Sequence, residues 1–220
     1  MCGRYSLGKT EGMADFFEIS DVRLPPRFNI APSQLAPVIR INETGERSLD
    51  QIQWGLVPHW LKDKASSSMF INARGETIHQ KPAFRSAFRR SRCLVPADGF
   101  FEWKKMAGGK QPYFISLTDQ PLFAFAGIWD RVSREKELLE SFSIVTCEPN
   151  ELVSEVHARM PVILRSRDYD TWLKSDDQGQ LQDLLVPYRP EDMQMYPVSK
   201  LVNSPANDRP ECVRPLGEVS

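Results

Sequence analysis

Short apolar segments separated by prolines and polar turns recur along the whole chain, which contains 17 prolines. Apolar segments this short, at this spacing, are typical of antiparallel strands, and many of them together predict a barrel-like or sandwich core. The segments that we predict as strands are 36–41, 51–57, 70–78, 93–96, 113–117, 122–129, 142–147, 161–164 and 193–198.

Helical periodicity is confined to a few short stretches: 11–19, the i to i+4 pair Phe84 and Phe88, 150–156 and 167–174. Asn150 and Ser166 are predicted N-caps. The segment 104–110 contains two adjacent glycines and predicts an exposed hairpin loop. The polar, proline-bearing end after Asn203 is predicted to be extended. We therefore expect an α+β fold, mostly β, with a few short peripheral helices, in one domain over residues 1–220.

The composition is that of an ordinary globular protein, with 41% apolar and 26% charged residues. The longest apolar stretch, 121–129, is too short to cross a bilayer, and the amino terminus lacks the apolar run of a signal peptide. We expect a cytoplasmic protein. The cysteines at positions 2, 93, 147 and 212 have no C-x-x-C spacing, so we predict free thiols and neither a metal site nor a cofactor.

Charge is distributed unevenly although the net charge is only −1. Residues 81–92 carry five basic side chains and no acid, which leaves −6 for the rest of the chain. This asymmetry favours an anion-binding patch of the kind that contacts nucleic acid. The alternative is a solvated basic helix face.

Cys2 follows the initiator methionine, and a small second residue favours removal of that methionine. The mature chain would then begin with a 1,2-aminothiol. An α-amino group has a pKa of about 8, against about 10.4 for lysine, so it is the better amine nucleophile near neutral pH. After the amine forms an imine with an aldehyde, the thiol can close a durable thiazolidine ring. The alternative is that cysteine stands at position 2 by chance.

Asn72, Arg74 and Glu76 alternate with small residues along a predicted strand, so their side chains would share one face. An amide, a guanidinium and a carboxylate in a row could hold a phosphate and a sugar hydroxyl. Such a row is more commonly the solvated face of an edge strand. Ala73 and Gly75, on the opposite face, predict close packing behind the strand.

Glu102 and His157 are candidates for proton transfer. Glu102 lies among three aromatic residues, and apolar surroundings raise the pKa of a carboxyl group. His157 lies between a helical turn and a strand, where a side chain can point into a cleft. An exposed glutamate and a structural histidine are the alternatives. Trp103 could stack on a base, although tryptophan is as often a core residue.

Six motifs in this order and spacing carry a resemblance to a known family: MCGRY at 1–5, RFNIAPS at 27–33, WGLVPHW at 54–60, INARGET at 71–77, RCLVPADGFFEWKK at 92–105 and HARMPVIL at 157–164. Together they resemble the SRAP family, the SOS response-associated peptidases or abasic site processing proteins. The resemblance extends from Cys2 to about Val198.

The resemblance implies that Cys2, Asn72, Glu102 and His157 are catalytic. It also implies a covalent thiazolidine cross-link between Cys2 and an abasic site in single-stranded DNA, which shields the lesion, with lyase and self-processing activity as further properties. The implied DNA contacts are Arg4, Asn29, Pro32, Trp60, Arg74, Trp103 and Arg159. The implied partner is abasic single-stranded DNA, in some members at junctions with duplex, bound by a monomer that acts at the nucleoid.

Two other classes of function remain open at this point. Amino-terminal-nucleophile amidohydrolases also begin with Met-Cys-Gly, but they need a sandwich of sheets between helices, and the sequence predicts few helices. A non-catalytic single-stranded DNA-binding module, in which Cys2 is incidental, predicts complexes that dissociate at high salt.

Overall fold

The computed structural model describes residues 2–20, 23–61, 69–134 and 137–217. Met1, whose removal the predicted chemistry requires, lies outside them. The described chain is mostly β. Its strands are β1 (Tyr5–Leu7), β2 (Arg27–Ile30), β3 (Leu35–Ile41), β4 (Arg47–Trp54), β5 (Asn72–Arg74), β6 (Arg92–Ala97), β7 (Gly99–Met106), β8 (Gly109–Leu117), β9 (Phe123–Arg134), β10 (Glu137–Cys147), β11 (Met160–Pro161), β12 (Ile163–Leu164) and β13 (Met193–Pro197).

The described helices are short. They are α1 (Met13–Phe17), α2 (Arg85–Arg90), α3 (Glu151–Ser154), α4 (Tyr169–Lys174) and α5 (Gln178–Asp183), with 3₁₀ turns at Gly75–Thr77, Ser166–Asp168, Pro190–Asp192, Lys200–Asn203 and Pro210–Cys212. None of them is long and apolar enough to cross a membrane. The helical layers that an amino-terminal-nucleophile amidohydrolase needs are not formed by helices of four to six residues.

Five strands close a barrel in the order β10, β4, β3, β6 and β9, with β9 pairing back to β10. These pairings are antiparallel except for β10 with β4. Two more strands, β5 and β11, pair with the end of β10. β5 runs parallel to it, with Ile144 opposite Asn72, and β11 runs antiparallel, with Cys147 opposite Met160. This shared end brings distant parts of the sequence together.

A second, fully antiparallel sheet has the order β13, β8, β7, β1 and β2. Tyr5 of β1 joins it to the barrel, since its ring meets Trp54 and Phe125 edge-on with centroids 5.3 and 5.8 Å apart. Burying each of these large aromatic side chains stabilises the fold by roughly 1.5–3 kcal/mol.

The two faces of this sheet bury different cores. On β7, Phe100 belongs to the main core, while its neighbour Phe101 packs in a smaller cluster with Val202 and Cys212 of the carboxyl-terminal part of the chain. Because alternate residues of a strand face opposite sides, Glu102 faces the barrel and Trp103 faces the carboxyl-terminal part. These adjacent candidates therefore lie on opposite faces of one strand.

The predicted fold class is confirmed, and so is the Asn150 cap, whose Oδ1 accepts the Val153 N–H at 2.9 Å. The predicted hairpin is present, but its loop is shorter than 104–110, because β7 continues to Met106 and β8 begins at Gly109. The Ser166 cap is wrong, because Ser166 is the first residue of a 3₁₀ turn whose cap position is Arg165. Helix α5 was missed because Leu181 is its one buried apolar residue, which leaves no periodicity to detect.

The strand predicted over 70–78 is shorter than expected. It ends at Arg74, and a 3₁₀ turn begins at Gly75, so the alternation that would place Glu76 beside Asn72 stops before it. The close packing behind the strand is present: Ala73 is fully buried, and a Cβ on Gly75 would lie 3.2 Å from Leu185.

The prediction of an extended carboxyl end is wrong for the residues after Asn203. The chain there contains the 3₁₀ turn Pro210–Cys212 and is bonded to β2 through Asp208. Polar side chains and prolines led to the prediction of an extended end, but the Asp208 side chain instead accepts hydrogen bonds from the backbone of β2.

Candidate active site

Cys2 precedes β1 and belongs to the main core, where its side chain is fully buried. Its Sγ lies 3.9 Å from the carbonyl oxygen of Arg4. Burial, and next the negative charge of Glu102, raise the pKa of this thiol well above its usual range. The sulfur is therefore held as a neutral thiol rather than as a thiolate.

Asn72 begins β5, and its Nδ2 donates to the carbonyl oxygen of Cys2 at 2.8 Å. This bond holds the first residues of the chain against the barrel. The Oδ1 of Asn72 is buried and has no hydrogen-bond partner among the described residues. A buried acceptor without a donor is costly, so the amide presents an open acceptor beside Cys2.

Glu102 is 97% buried on the barrel-facing side of β7. Burial raises the pKa of its carboxyl from the usual 4.5 to about 7. The sequence predicts a pKa raised in this direction. The apolar surroundings of Glu102 are the main core, which includes Phe100, whereas Phe101 and Trp103 face the other side of the sheet. A carboxyl with this pKa can both accept and give a proton near neutral pH.

His157 lies between α3 and β11, as predicted, with its Nδ1 4.0 Å from the Oε1 of Glu102. The same Nδ1 lies 3.0 Å from the Arg159 backbone nitrogen. Burial lowers the pKa of His157, so the neutral imidazole is favoured. When neutral, the ring either accepts the Arg159 N–H at Nδ1, with its proton on Nε2, or donates from Nδ1 to the Arg159 carbonyl oxygen 3.1 Å away.

The structure thus brings the four predicted catalytic residues together, from the amino terminus, β5, β7 and the loop before β11. Asn72 bonds to Cys2, Glu102 acts on the Cys2 thiol through its charge, and His157 lies beside Glu102. The described residues contain no group of three or more His, Cys, Asp or Glu side chains arranged to hold a metal ion.

Arg74, Glu76 and Arg159 form a charged cluster on the barrel side. Arg159 makes two hydrogen bonds with the Glu76 carboxylate, one of them at 2.9 Å, and donates to the Thr146 carbonyl oxygen at 2.8 Å. These bonds to Arg159 lower the pKa of Glu76. The Arg159 side chain is only 15% exposed, whereas Arg74 is exposed. Of the two predicted phosphate contacts, Arg74 is the more accessible.

Arg4, Asn29 and Trp103 meet on the opposite face of the second sheet. Arg4 Nη1 donates to Asn29 Oδ1 at 2.8 Å, and its guanidinium carbon lies 5.9 Å from the centroid of the Trp103 ring. Asn29 is fully buried, and its Nδ2 donates to three carbonyl oxygens, those of Val202, Ser204 and Asn207. Asn29 is thus committed to internal bonds.

Trp60 and Pro32 lie elsewhere, Pro32 half-buried after β2. Trp60 is 51% exposed and lines an open groove with His59, Arg85, Arg89 and Arg90. The basic patch is therefore present but smaller than the sequence suggests. Arg92 is buried, and its guanidinium donates to the carbonyl oxygens of Phe88, Arg89, Trp172 and Ser175.

Two features of the site were missed from the sequence. One is the pairing of Glu76 with Arg159, which are 83 positions apart and share no local pattern. The other is the segment 199–208, where the side chains of Asn203 and Asp208 and the backbone carbonyl oxygen of Asn207 provide partners for the second sheet. The concentration of Asn and Asp there, typical of side chains that bond to nearby backbone, was the available signal.

Comparison with known proteins gives consistent matches over nearly the whole chain. The family model described as SOS response associated peptidase (SRAP) matches residues 1–205. The chain is similar to the abasic site processing protein YoqW of Bacillus subtilis (strain 168), at 42% identity over 97% of this chain and 99% of that protein. It is also similar to the abasic site processing protein HMCES of Gallus gallus, at 32% identity over 88% of this chain and 67% of that protein.

Among solved structures, a crystal structure of a protein from Bacteroides thetaiotaomicron superimposes with a TM-score of 0.88 at 30% sequence identity. The match covers 97% of this chain and 99% of that one. The similarity thus includes both sheets.

Proposed function

This chain belongs to the family of SOS response associated peptidases, and from that premise we propose that it processes abasic sites in single-stranded DNA by bonding Cys2 covalently to the sugar aldehyde. The names of its relatives support the abasic-site role. The observation that carries the covalent chemistry is the clustering of Cys2, Asn72, Glu102 and His157.

The first step is opening of the sugar. An abasic deoxyribose is mostly a closed hemiacetal, so its ring needs a proton donor and a proton acceptor to release the aldehyde. A neutral His157 beside a Glu102 whose pKa is about 7 supplies such a pair at neutral pH. Asn72 supports the geometry, because its buried Oδ1 can accept a hydrogen bond from the Cys2 amine or from a sugar hydroxyl.

The amine of Cys2 then attacks C1′, and the carbinolamine loses one water, with Glu102 giving the proton that the leaving oxygen needs. The thiol adds across the resulting C=N bond: a bond forms between Sγ and C1′, and the thiol proton passes to the nitrogen. The overall reaction releases one water and needs no oxidant or reductant. The raised pKa of the thiol supports this order, since a neutral thiol is a weak first nucleophile.

For the DNA, we propose that Arg74 contacts the phosphates directly, and that Arg4, Asn29, Pro32, Trp60, Trp103 and Arg159 line or support its path. Exposure supports Arg74 and Trp60 as direct contacts. The internal bonds of Asn29 and Arg159 favour a supporting role for these two residues. We further propose that the chain acts as a monomer with one SRAP domain.

The decisive experiment separates the amine of Cys2 from its thiol. Cys2→Ala keeps a processed α-amine, so it should form an imine with an abasic strand that borohydride can trap, but no stable cross-link without reduction. An uncleaved amino-terminal tag keeps the thiol and turns the amine into an amide. That protein should lose both products while still binding DNA.

Cys93→Ala is the matched control, because it removes a buried thiol from β6 and leaves Cys2 intact; it should cross-link like the wild type. A tagged protein that still formed a cross-link stable on denaturing gels would sink the thiazolidine mechanism and point to attack by the thiol alone. If the wild type and all the variants formed only complexes that dissociate at high salt, the protein would instead be a non-catalytic DNA-binding module.

A further inference from the structure

The segment 199–208, here called the carboxyl-terminal strap, crosses the outer face of the second sheet. Its Val202 is fully buried with Phe101 of β7 and Phe114 of β8, in the smaller of the two cores. The Phe114 ring packs directly over Gly99 of β7, where a Cβ would lie 2.1 Å from that ring. The strap is therefore an integral layer of the fold.

The strap is also bonded to β2. Asp208 accepts hydrogen bonds from the backbone N–H groups of Phe28 and Asn29, at 2.5 and 3.1 Å, and pairs with the Arg27 guanidinium. From the other side, the Asn29 amide donates to strap carbonyl oxygens. Buried polar groups satisfied in this way hold a single conformation, because losing any partner leaves another group unpaired.

Two side chains that neighbour candidate-site residues in sequence, on the opposite face of the second sheet, bond to this strap. Arg4, two residues from Cys2, donates through Nη1 to the Val202 carbonyl oxygen at 2.7 Å. Trp103, next to Glu102, donates its indole N–H to the Oδ1 of Asn203 at 2.8 Å. The Asn203 side chain is exposed, so this bond is not required by packing of Asn203 itself.

We infer that Asn203 is a positioning residue: it fixes the plane of the Trp103 ring on which a DNA base stacks. The strap thereby contributes to the DNA-binding site. The inference rests on the proposed function for the identity of the ligand. The hydrogen bond holds the edge of the indole, and the Arg4 guanidinium lies over its face. An aromatic platform whose torsions are already fixed loses less entropy when a base stacks on it.

The test uses an intact single-stranded oligonucleotide without an abasic site, so that no covalent chemistry contributes. Asn203→Ala should weaken binding about 5-fold, which corresponds to the about 1 kcal/mol that ordering one side chain costs when the base binds. In a ¹H–¹⁵N spectrum, the indole signal of Trp103, assigned through its absence in Trp103→Phe, should move in Asn203→Ala. Asn203→Asp keeps an acceptor oxygen and should restore the signal position.

A double-mutant cycle tests whether Asn203 affects DNA binding through Trp103. If Asn203 acts through Trp103, then Asn203→Ala should cause little further loss of binding in the Trp103→Phe background. Glu211→Ala is the matched control, because Glu211 is exposed on the neighbouring turn and pairs with Arg209; it should bind DNA like the wild type. Circular dichroism checks that each variant is folded.

Fully additive losses in the cycle, or an unchanged indole signal in Asn203→Ala, would overturn the inference. Failure of the proposed function looks different. If wild-type protein bound the oligonucleotide and showed the coupling but formed no cross-link with an abasic strand, the covalent chemistry would fall and the positioning role of Asn203 would stand.

Discussion

Charged side chains near the candidate site are held in two different ways, on the side of the second sheet (the sheet side) and on the side of the barrel (the barrel side). On the sheet side, Arg4 donates to a backbone carbonyl oxygen of the strap and to the buried Asn29. On the barrel side, Arg159 is held mainly by the carboxylate of Glu76, which is about half exposed. One arginine is anchored by neutral groups in the fold and the other by an ion pair at the surface.

The difference matters for binding an anion. A neutral carbonyl oxygen holds an arginine without cancelling its charge, so Arg4 keeps its positive charge for the DNA contact that we propose. The Glu76 carboxylate neutralises Arg159, and such a half-exposed pair contributes little to stability and weakens as salt rises. The sheet side is therefore a rigid support, whereas the charge of the barrel side can respond to a phosphate or to salt.

The largest expected effect comes from changing the proton-transfer pair between the two sides. Glu102→Gln and His157→Ala should each slow cross-linking by about 10²- to 10⁴-fold, because each removes a group that gives or takes a proton. Single-turnover assays measure this rate. Binding assays should show that DNA affinity changes little. Trp103→Ala, adjacent to Glu102 but on the opposite face of β7, should do the reverse. Equal losses of rate and affinity in all three variants would show that they are structural.

A smaller effect should appear in the dependence of stability on pH. The folded-state pKa of Glu102 is raised from 4.5 to about 7 by burial, so its contribution to stability is present below about pH 4.5 and is lost as pH rises through about 7. The unfolding free energy of the wild type should fall relative to that of Glu102→Gln over this window. Denaturant titrations of both proteins measure it, and a constant difference would mean that the carboxyl is not buried in solution.

The smallest effects should separate the two arginines of the barrel side. Arg74→Ala should weaken binding to intact and abasic strands alike and reduce the salt slope by about one, because phosphate contacts carry no lesion information. Arg159→Ala should weaken binding less and lower the unfolding free energy by about 1 kcal/mol, mainly through its lost hydrogen bond to the Thr146 carbonyl oxygen. If Arg159→Ala impaired only the abasic substrate, Arg159 would belong with the catalytic residues.

Much of the fold could be predicted from local pattern. The strands of the barrel are long enough to show their apolar spacing, two adjacent glycines indicate the β7–β8 hairpin, and the Asn150 cap has a recognisable side chain before its helix. The strands β1, β2 and β7 were not predicted. The errors occur where the pattern was short or misleading. Residues 75–77 continue the alternation of β5 in sequence but turn away in space, because Gly75 packs closely against Leu185 and Thr146.

The candidate site was predicted as four separate motifs, and their residue types carried the chemistry. An aminothiol at position 2, an amide, a carboxyl among apolar residues and an imidazole have reactivities that follow from their covalent structure. The sequence by itself therefore predicted the class of reaction that we propose and the residues that we propose for it.

Only the tertiary structure decided how these groups are arranged and charged. The end of β10 joins β5 to β11, burial moves the pKa of Glu102 to about 7, and a strap from the far end of the chain holds Arg4 and Trp103. Burial and long-range hydrogen bonds depend on residues up to 198 positions apart, such as Arg4 and Val202, and local sequence does not encode distances of that kind.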